Sequence, residues 1–178
     1  AKEAITQLKQ KLDASGIHCH RLHTSHAFHS YMMDEVIDDF TETMKGLQLN
    51  PPKIPFISNV TGTWITNEDA TDPHYWARQL REPVRFSQGL EELFKDPNLV
   101  LLEVGPEKFL NQAAIKHPAK TREHRVLASM RSPNEEESDL HHLLNTVGRL
   151  WLAGVDIDWE AYHGEKKRFR MPLPTYPY

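Results

Sequence analysis

The chain has one cysteine, Cys19. It cannot close a disulfide within itself, and a reducing, cytoplasmic setting is expected. It has no long apolar run. Nothing approaches the ~20 residues of a membrane helix, and the mean hydropathy is −0.61. It has no surplus of positive charge either. The formal net charge is −4 and the pI about 6.3, so nucleic acid is not the partner that the charge suggests. The opening residues, AKEAITQLKQKL, read as a charged helix and not as a signal peptide. Glycine is scarce, eight residues against twelve prolines, a balance that predicts many short stops and an irregular, wrapped tail. Neither His-Glu-x-x-His nor Cys-x-x-Cys occurs, and there are no internal repeats.

What is present is enough for one ordinary core: 178 residues, 39% hydrophobic and 26% charged. Ile5, Leu8 and Leu12 recur at helical spacing until Gly16 stops them, and 17–22 reads as a short strand. A second helix is expected over 31–46, with Met33, Val36, Ile37, Phe40 and Met44 on one stripe and acidic residues in its first turns. Pro51-Pro52 breaks the chain. Residues 54–60 and 63–66 then read as strands about a Thr61-Gly62 turn. Asp72-Pro73 predicts an N-cap and a first-position proline for a helix near 73–81. Ser87 is a candidate cap for the next helix. Residues 99–104 are apolar except for Glu103, as in a buried parallel strand. Gly105-Pro106 leads into a helix ending near His117, and 125–130 is a further strand. Arg131-Ser132-Pro133 marks a boundary. A stripe from Leu140 to Trp151 predicts a last helix, and the proline- and tyrosine-rich tail over 168–178 should lie extended, its aromatics filling pockets. Alternating strands and helices indicate an α/β class.

Eleven histidines are many for this length, and five lie between residues 18 and 29. His18 and His20 would share one strand face, with His23, His26 and His29 following at every third residue, so a zinc site is one reading. Surface strand residues are the simpler reading of His18, His20 and His23. His26 and His29 stand apart because of their neighbours. Ser25-His26-Ala27-Phe28-His29-Ser30, between a strand and a helix, resembles the histidine box of acyltransferase domains of modular polyketide synthases and, more distantly, of malonyl-CoA:carrier-protein transacylases. Four further segments resemble that family's signatures in order: 57–62 (ISNVTG), 75–86 (YWARQLREPVRF), 102–106 (LEVGP) and 173–178 (LPTYPY).

The resemblance implies a fold and a chemistry. The fold would be the C-terminal portion of a hydrolase-like, parallel-sheet acyltransferase. Residues 1–22 would end a ferredoxin-like small subdomain, 23–130 would complete the hydrolase-like part, and 131–178 would be the linker that follows. His29 would be the general base, able to activate a serine hydroxyl and later a phosphopantetheine thiol. The backbone carbonyl of Gln79 would orient it. Phe28 would wall the acyl pocket, where its ring occupies the space of an α-methyl group and so favours malonyl over methylmalonyl units. His26 would help shape that pocket, and Asn59 would hold the loop. No Gly-x-Ser-x-Gly elbow is present. The nucleophile, the carboxylate-binding arginine and the oxyanion donor are therefore expected in an N-terminal half, and these residues alone should be inactive. Malonyl-CoA would be a substrate and the carrier's phosphopantetheine the acceptor, with no bound cofactor and no metal. The expected partners are that half, a ketosynthase and an acyl carrier protein, within a homodimeric parent and without membrane or nucleic acid. The competing readings are a non-catalytic remnant or interdomain scaffold, and a histidine-rich metal protein.

Overall fold

The computed structural model describes residues 2–17, 19, 24–106, 108–165, 169 and 171–175. They fall into two units, Ala1–Arg85 and Phe86–Tyr178. The expected strand over 17–22, with His18 and His20, lies almost wholly outside the described residues, as does His23.

In the first unit, α1 (Lys2–Ala14) ends as expected before Gly16, whose φ of +75° suits a residue without a Cβ. The single helix expected over 31–46 is two elements. Ser30 caps a 3-10 helix, Tyr31–Val36, and α2 (Ile37–Lys45) follows. The tight start has a local cause: Met33 N–H bonds the Ser30 carbonyl at 3.0 Å, an i→i+3 closure that drives Met33 into the core. The two strands expected over 54–60 and 63–66 shrink to one antiparallel bridge, Ile57 to Trp64. The Ser58 hydroxyl takes the N–H groups of Val60 and Thr61, both at 3.1 Å, and so bends the chain out of the ladder. Thr66 caps a short α3 (Asn67–Thr71) that the periodicity does not reveal. Asp72 and Pro73 open α4 (Pro73–Arg81) in the expected way, the aspartate accepting His74 N–H at 2.9 Å. Helix α4 packs on α2, and Tyr75 is 1% exposed with its hydroxyl 2.8 Å from Ser58 Oγ.

The second unit is a β-α-β arrangement, as the α/β class requires. Helix α5 (Phe86–Leu93) precedes β1 (Val100–Glu103); α6 (Phe109–Ile115) connects it to β2 (Arg125–Ala128). The strands are parallel, with Val100 opposite Arg125 and Glu103 opposite Ala128. Leu90, Phe94 and Ala114 form the core, joined by Leu101 and Val126. Ser87 is not the cap of α5; it lies inside the first turn and its Oγ is 2.9 Å from His117 Nε2. The one acidic residue of the β1 run has a distinct task. The Glu103 carboxylate accepts the N–H groups of Leu110 and Asn111, at 3.1 and 2.8 Å, and so satisfies the start of α6.

Ser138 caps α7 (Asp139–Leu152), which is tied to β2 by Thr146 Oγ1 donating to the Ala128 carbonyl at 2.8 Å. The apolar stripe of α7 faces solvent more than expected, with Leu140 66% and Trp151 58% exposed. After α8 (Trp159–His163), the described tail residues Phe169, Met171 and Leu173 are exposed, so the expected packing of the tail is not seen in them; Tyr176 and Tyr178 lie outside the described residues. No described helix is long and apolar enough to cross a membrane.

Candidate active site

Polar contacts shape the loop at 24–30. Thr24 Oγ1 donates to the His26 carbonyl at 2.8 Å, and His26 Nδ1 lies 3.0 Å from Ser25 Oγ. Ser30 Oγ donates to the Ala27 carbonyl at 2.5 Å and accepts from Met32 N–H at 3.3 Å. Between them sits His29 with φ +60°, the only described non-glycine residue in the left-handed region. Such a backbone costs of order 1 kcal/mol or more and persists where the surroundings hold it. His29 N–H donates to the Leu80 carbonyl at 3.2 Å, and ring Nδ1 lies 3.1 Å from the Glu82 carbonyl oxygen.

That second contact settles which nitrogen carries the proton. A carbonyl only accepts, so Nδ1 must be the donor. In the neutral ring the lone pair then belongs to Nε2, which has no hydrogen bond among the described residues. The ring is half-buried. The imidazole thus has a chosen tautomer and one free nitrogen, and main chain, not a carboxylate, orients it.

The acceptor is a correction to the sequence reading. The expected Gln79 carbonyl receives no bond from the His29 ring; the carbonyl three residues later, at Glu82, does. Gln79 lies inside the last turn of α4, whereas Glu82 follows the helix with an extended backbone, φ −83° and ψ 153°. A carbonyl inside the turn points along the helix, and one beyond its end is free to turn aside. The helix boundary was the sequence signal for it. Phe28 is next to His29 but 53% exposed. His26 is exposed and engages only its own loop. Asn59 is exposed, and its contribution is main-chain: its carbonyl accepts Arg85 N–H at 2.9 Å, just beyond Glu82. An ion pair between Arg81 and Asp34 further ties the end of α4 to the 3-10 helix after His29.

A cleft of about 470 Å³ runs between α2 and α4, lined by Thr41, Glu42, Lys45, His74, Arg78 and Arg81 among others, and not by Phe28 or His29. The Lys45 ammonium on Glu42 holds that carboxyl below the usual range. In the second unit an apolar cleft of about 170 Å³ opens over Leu90, Leu101, Leu102, Leu110 and Val126. The one grouping among the described residues with ligand atoms close enough for a cation is Glu135, Glu137 and His142, within 4.8 Å. Cationic and N–H donors already occupy it. Lys108 Nζ lies 2.6 Å from both Glu135 oxygens, and His141 and His142 flank Glu137 at 2.6 and 2.8 Å. These contacts hold both carboxyls below their usual range.

With the loop, the ring and the parallel strands in place, the class of protein is defined. A family model for the acyl transferase domain matches residues 1–157. The chain belongs to that family, in the form carried by modular polyketide synthases. It is 36% identical over 177 residues to a component of the phenolphthiocerol/phthiocerol polyketide synthase of Mycobacterium tuberculosis, a match covering 99% of this chain and 12% of that protein. Its structure is similar to the acyl transferase domain of ZmaA, with a TM-score of 0.82 and 34% identity over 98% of this chain and 39% of that one. A malonyl CoA-acyl carrier protein transacylase from Clostridium perfringens shares the fold at 18% identity, with a TM-score of 0.60 over 86% of this chain and 46% of that one. The chain therefore spans a small part of its curated relatives and under half of these solved domains.

Proposed function

We propose that this chain is the histidine-bearing part of a cytoplasmic polyketide synthase acyltransferase that moves a malonyl unit from malonyl-CoA to the phosphopantetheine arm of an acyl carrier protein. The observation that carries the reading is the Nδ1–H bond from His29 to the Glu82 carbonyl, which leaves the Nε2 lone pair for chemistry. The nucleophilic serine is supplied by acyltransferase polypeptide outside this sequence, which contains no Gly-x-Ser-x-Gly. Nε2 takes the serine proton as the seryl oxygen attacks the malonyl thioester carbonyl. The carbon–sulfur bond breaks, and the imidazolium returns the proton to the departing CoA thiolate. In the second half Nε2 takes the proton of the phosphopantetheine thiol. The thiolate attacks the seryl ester, and the imidazolium protonates the leaving serine oxygen.

Phe28 stands directly before the base, and its ring selects malonyl by excluding an α-methyl group. The open apolar cleft beside β1 and β2 supports a place within a larger domain that covers it, since parallel strands are ordinarily covered on both faces. The surrounding assembly is a homodimeric synthase with a neighbouring ketosynthase. The test is His29→Ala in the complete acyltransferase. Self-acylation by [14C]malonyl-CoA is expected to slow about 10²- to 10⁴-fold; loading at the wild-type rate would remove His29 from the mechanism.

A further inference from the structure

The acceptor that orients His29 is a main-chain atom, and the residue that aims it is its neighbour. Glu82 N–H still bonds the Arg78 carbonyl at 2.7 Å, so that side of the residue belongs to the last turn of α4. Its other side does not. With ψ at 153°, the Glu82 carbonyl is turned by roughly 165° about the Cα–C bond relative to a helical residue. The residue that follows is Pro83. The proline Cδ crowds the N–H and Cβ of the residue before it and drives that residue out of the α region into extended backbone. The same proline has no N–H with which to prolong the helix. The Glu82 carboxylate makes no hydrogen bond or ion pair among the described residues, so this residue reaches His29 through its backbone alone. Two bonds hold the flanks of the turn: His29 N–H to the Leu80 carbonyl at 3.2 Å and Arg85 N–H to the Asn59 carbonyl at 2.9 Å.

We propose that Pro83 is a positioning residue for the base. By keeping Glu82 extended, it delivers the carbonyl that fixes the Nδ1–H tautomer of His29. This rests on the reading of His29 as the general base, and the test separates the two. In the complete acyltransferase, Pro83→Ala frees residue 82 to continue the helix. The self-acylation kcat is expected to fall about 10- to 100-fold, with KM for malonyl-CoA changed by less than about twofold. The 15N spectrum of the neutral His29 ring, assigned by its loss in His29→Gln, should move from the Nδ1–H form toward a mixture. A β-branched residue favours extended backbone, so Glu82→Val in the Pro83→Ala background should recover most of the lost rate, as a mere loss of stability would not. A wild-type kcat in Pro83→Ala with the Nδ1–H signal unmoved would overturn the proposal. So would a wild-type ring that carries its proton on Nε2, a measurement that needs no variant to fold. The ring spectrum reports the Pro83–Glu82–His29 geometry whether or not the imidazole acts as a base. Full activity in His29→Ala would instead strike the functional reading.

Discussion

The loop at His29 and the turn after β1 each place a polar side chain beside an abrupt change of chain direction, and they do it in mirror-image ways. At His29 the side chain is the donor and the backbone the acceptor: Nδ1–H meets the Glu82 carbonyl. At Glu103 the side chain is the acceptor and the backbone the donor, with the amides of Leu110 and Asn111 turned onto the carboxylate. The first arrangement leaves a ring nitrogen free and keeps a strained φ at the residue that carries it. The second engages both carboxylate oxygens and leaves a stable helix start. A backbone acceptor cannot be deleted by a side-chain substitution, so the His29 site should be sensitive to changes in chain direction. The Glu103 turn should be sensitive to the side chain itself.

Substitutions can break this contrast, with the loss in His29→Ala as the largest effect. Next in size is Ser58→Ala. Ser58 is fully buried, and its hydroxyl serves Val60, Thr61 and Tyr75. Leaving those partners unsatisfied should cost about 2–3 kcal/mol in urea denaturation of the complete acyltransferase. Because Asn59 follows Ser58 and holds Arg85, activity should fall with it; a melt unchanged from wild type would show that Ser58 is dispensable to this turn.

Phe28→Ser should alter choice and leave stability alone. Relative kcat/KM for methylmalonyl-CoA over malonyl-CoA is expected to rise tens- to a hundred-fold, the ~1–3 kcal/mol that shape can exert on one methyl group. An unmoved ratio would count against the ring as a wall. Glu103→Ala should behave in the opposite manner, lowering stability by about 1 kcal/mol through the lost helix start while the pH profile of acylation stays in place. A shifted profile would mean that Glu103 does more than hold the start of α6.

The smallest effect is electrostatic. Hydrogen bonds from Lys108 and from Ser132 N–H lower the Glu135 carboxyl, and those from His142 and His141 lower that of Glu137. A carboxyl depressed in the folded state stabilises it above the ordinary carboxylate value, near 4.3, and loses that contribution as the pH falls through the depressed one. The melting temperature should therefore decline below about pH 4.5. It should decline less steeply in Glu135→Gln/Glu137→Gln, and the same slope in that variant would show that these pairs are silent. Partly exposed pairs of this kind make only small contributions.

Side-chain chemistry was the legible part of the chain. Asp72-Pro73 announced α4 to the residue, because a cap and a first-position proline act locally. The apolar run before Gly105 announced a parallel strand, although none of the four residues of β1 is buried among the described residues, and the histidine box announced the loop that carries His29. The division of 31–46 was hidden, since it depends on an i→i+3 bond that helical periodicity does not record. The collapse of the two expected strands onto one bridge was hidden for a similar reason: a buried serine hydroxyl outcompeted the ladder for its amides. The stripe of α7 was read correctly as a helix, but its contact with β2 runs through His142 and Thr146.

From composition and order alone came the class, the family likeness and the candidate base, because these depend on which side chains occur and in what sequence. Folding decided which carbonyl meets that base. Every residue but proline offers the same C=O and N–H, so a main-chain partner has no letter of its own. Only the end of α4 and the extended turn at Glu82 bring that oxygen, and not Gln79's, to the imidazole.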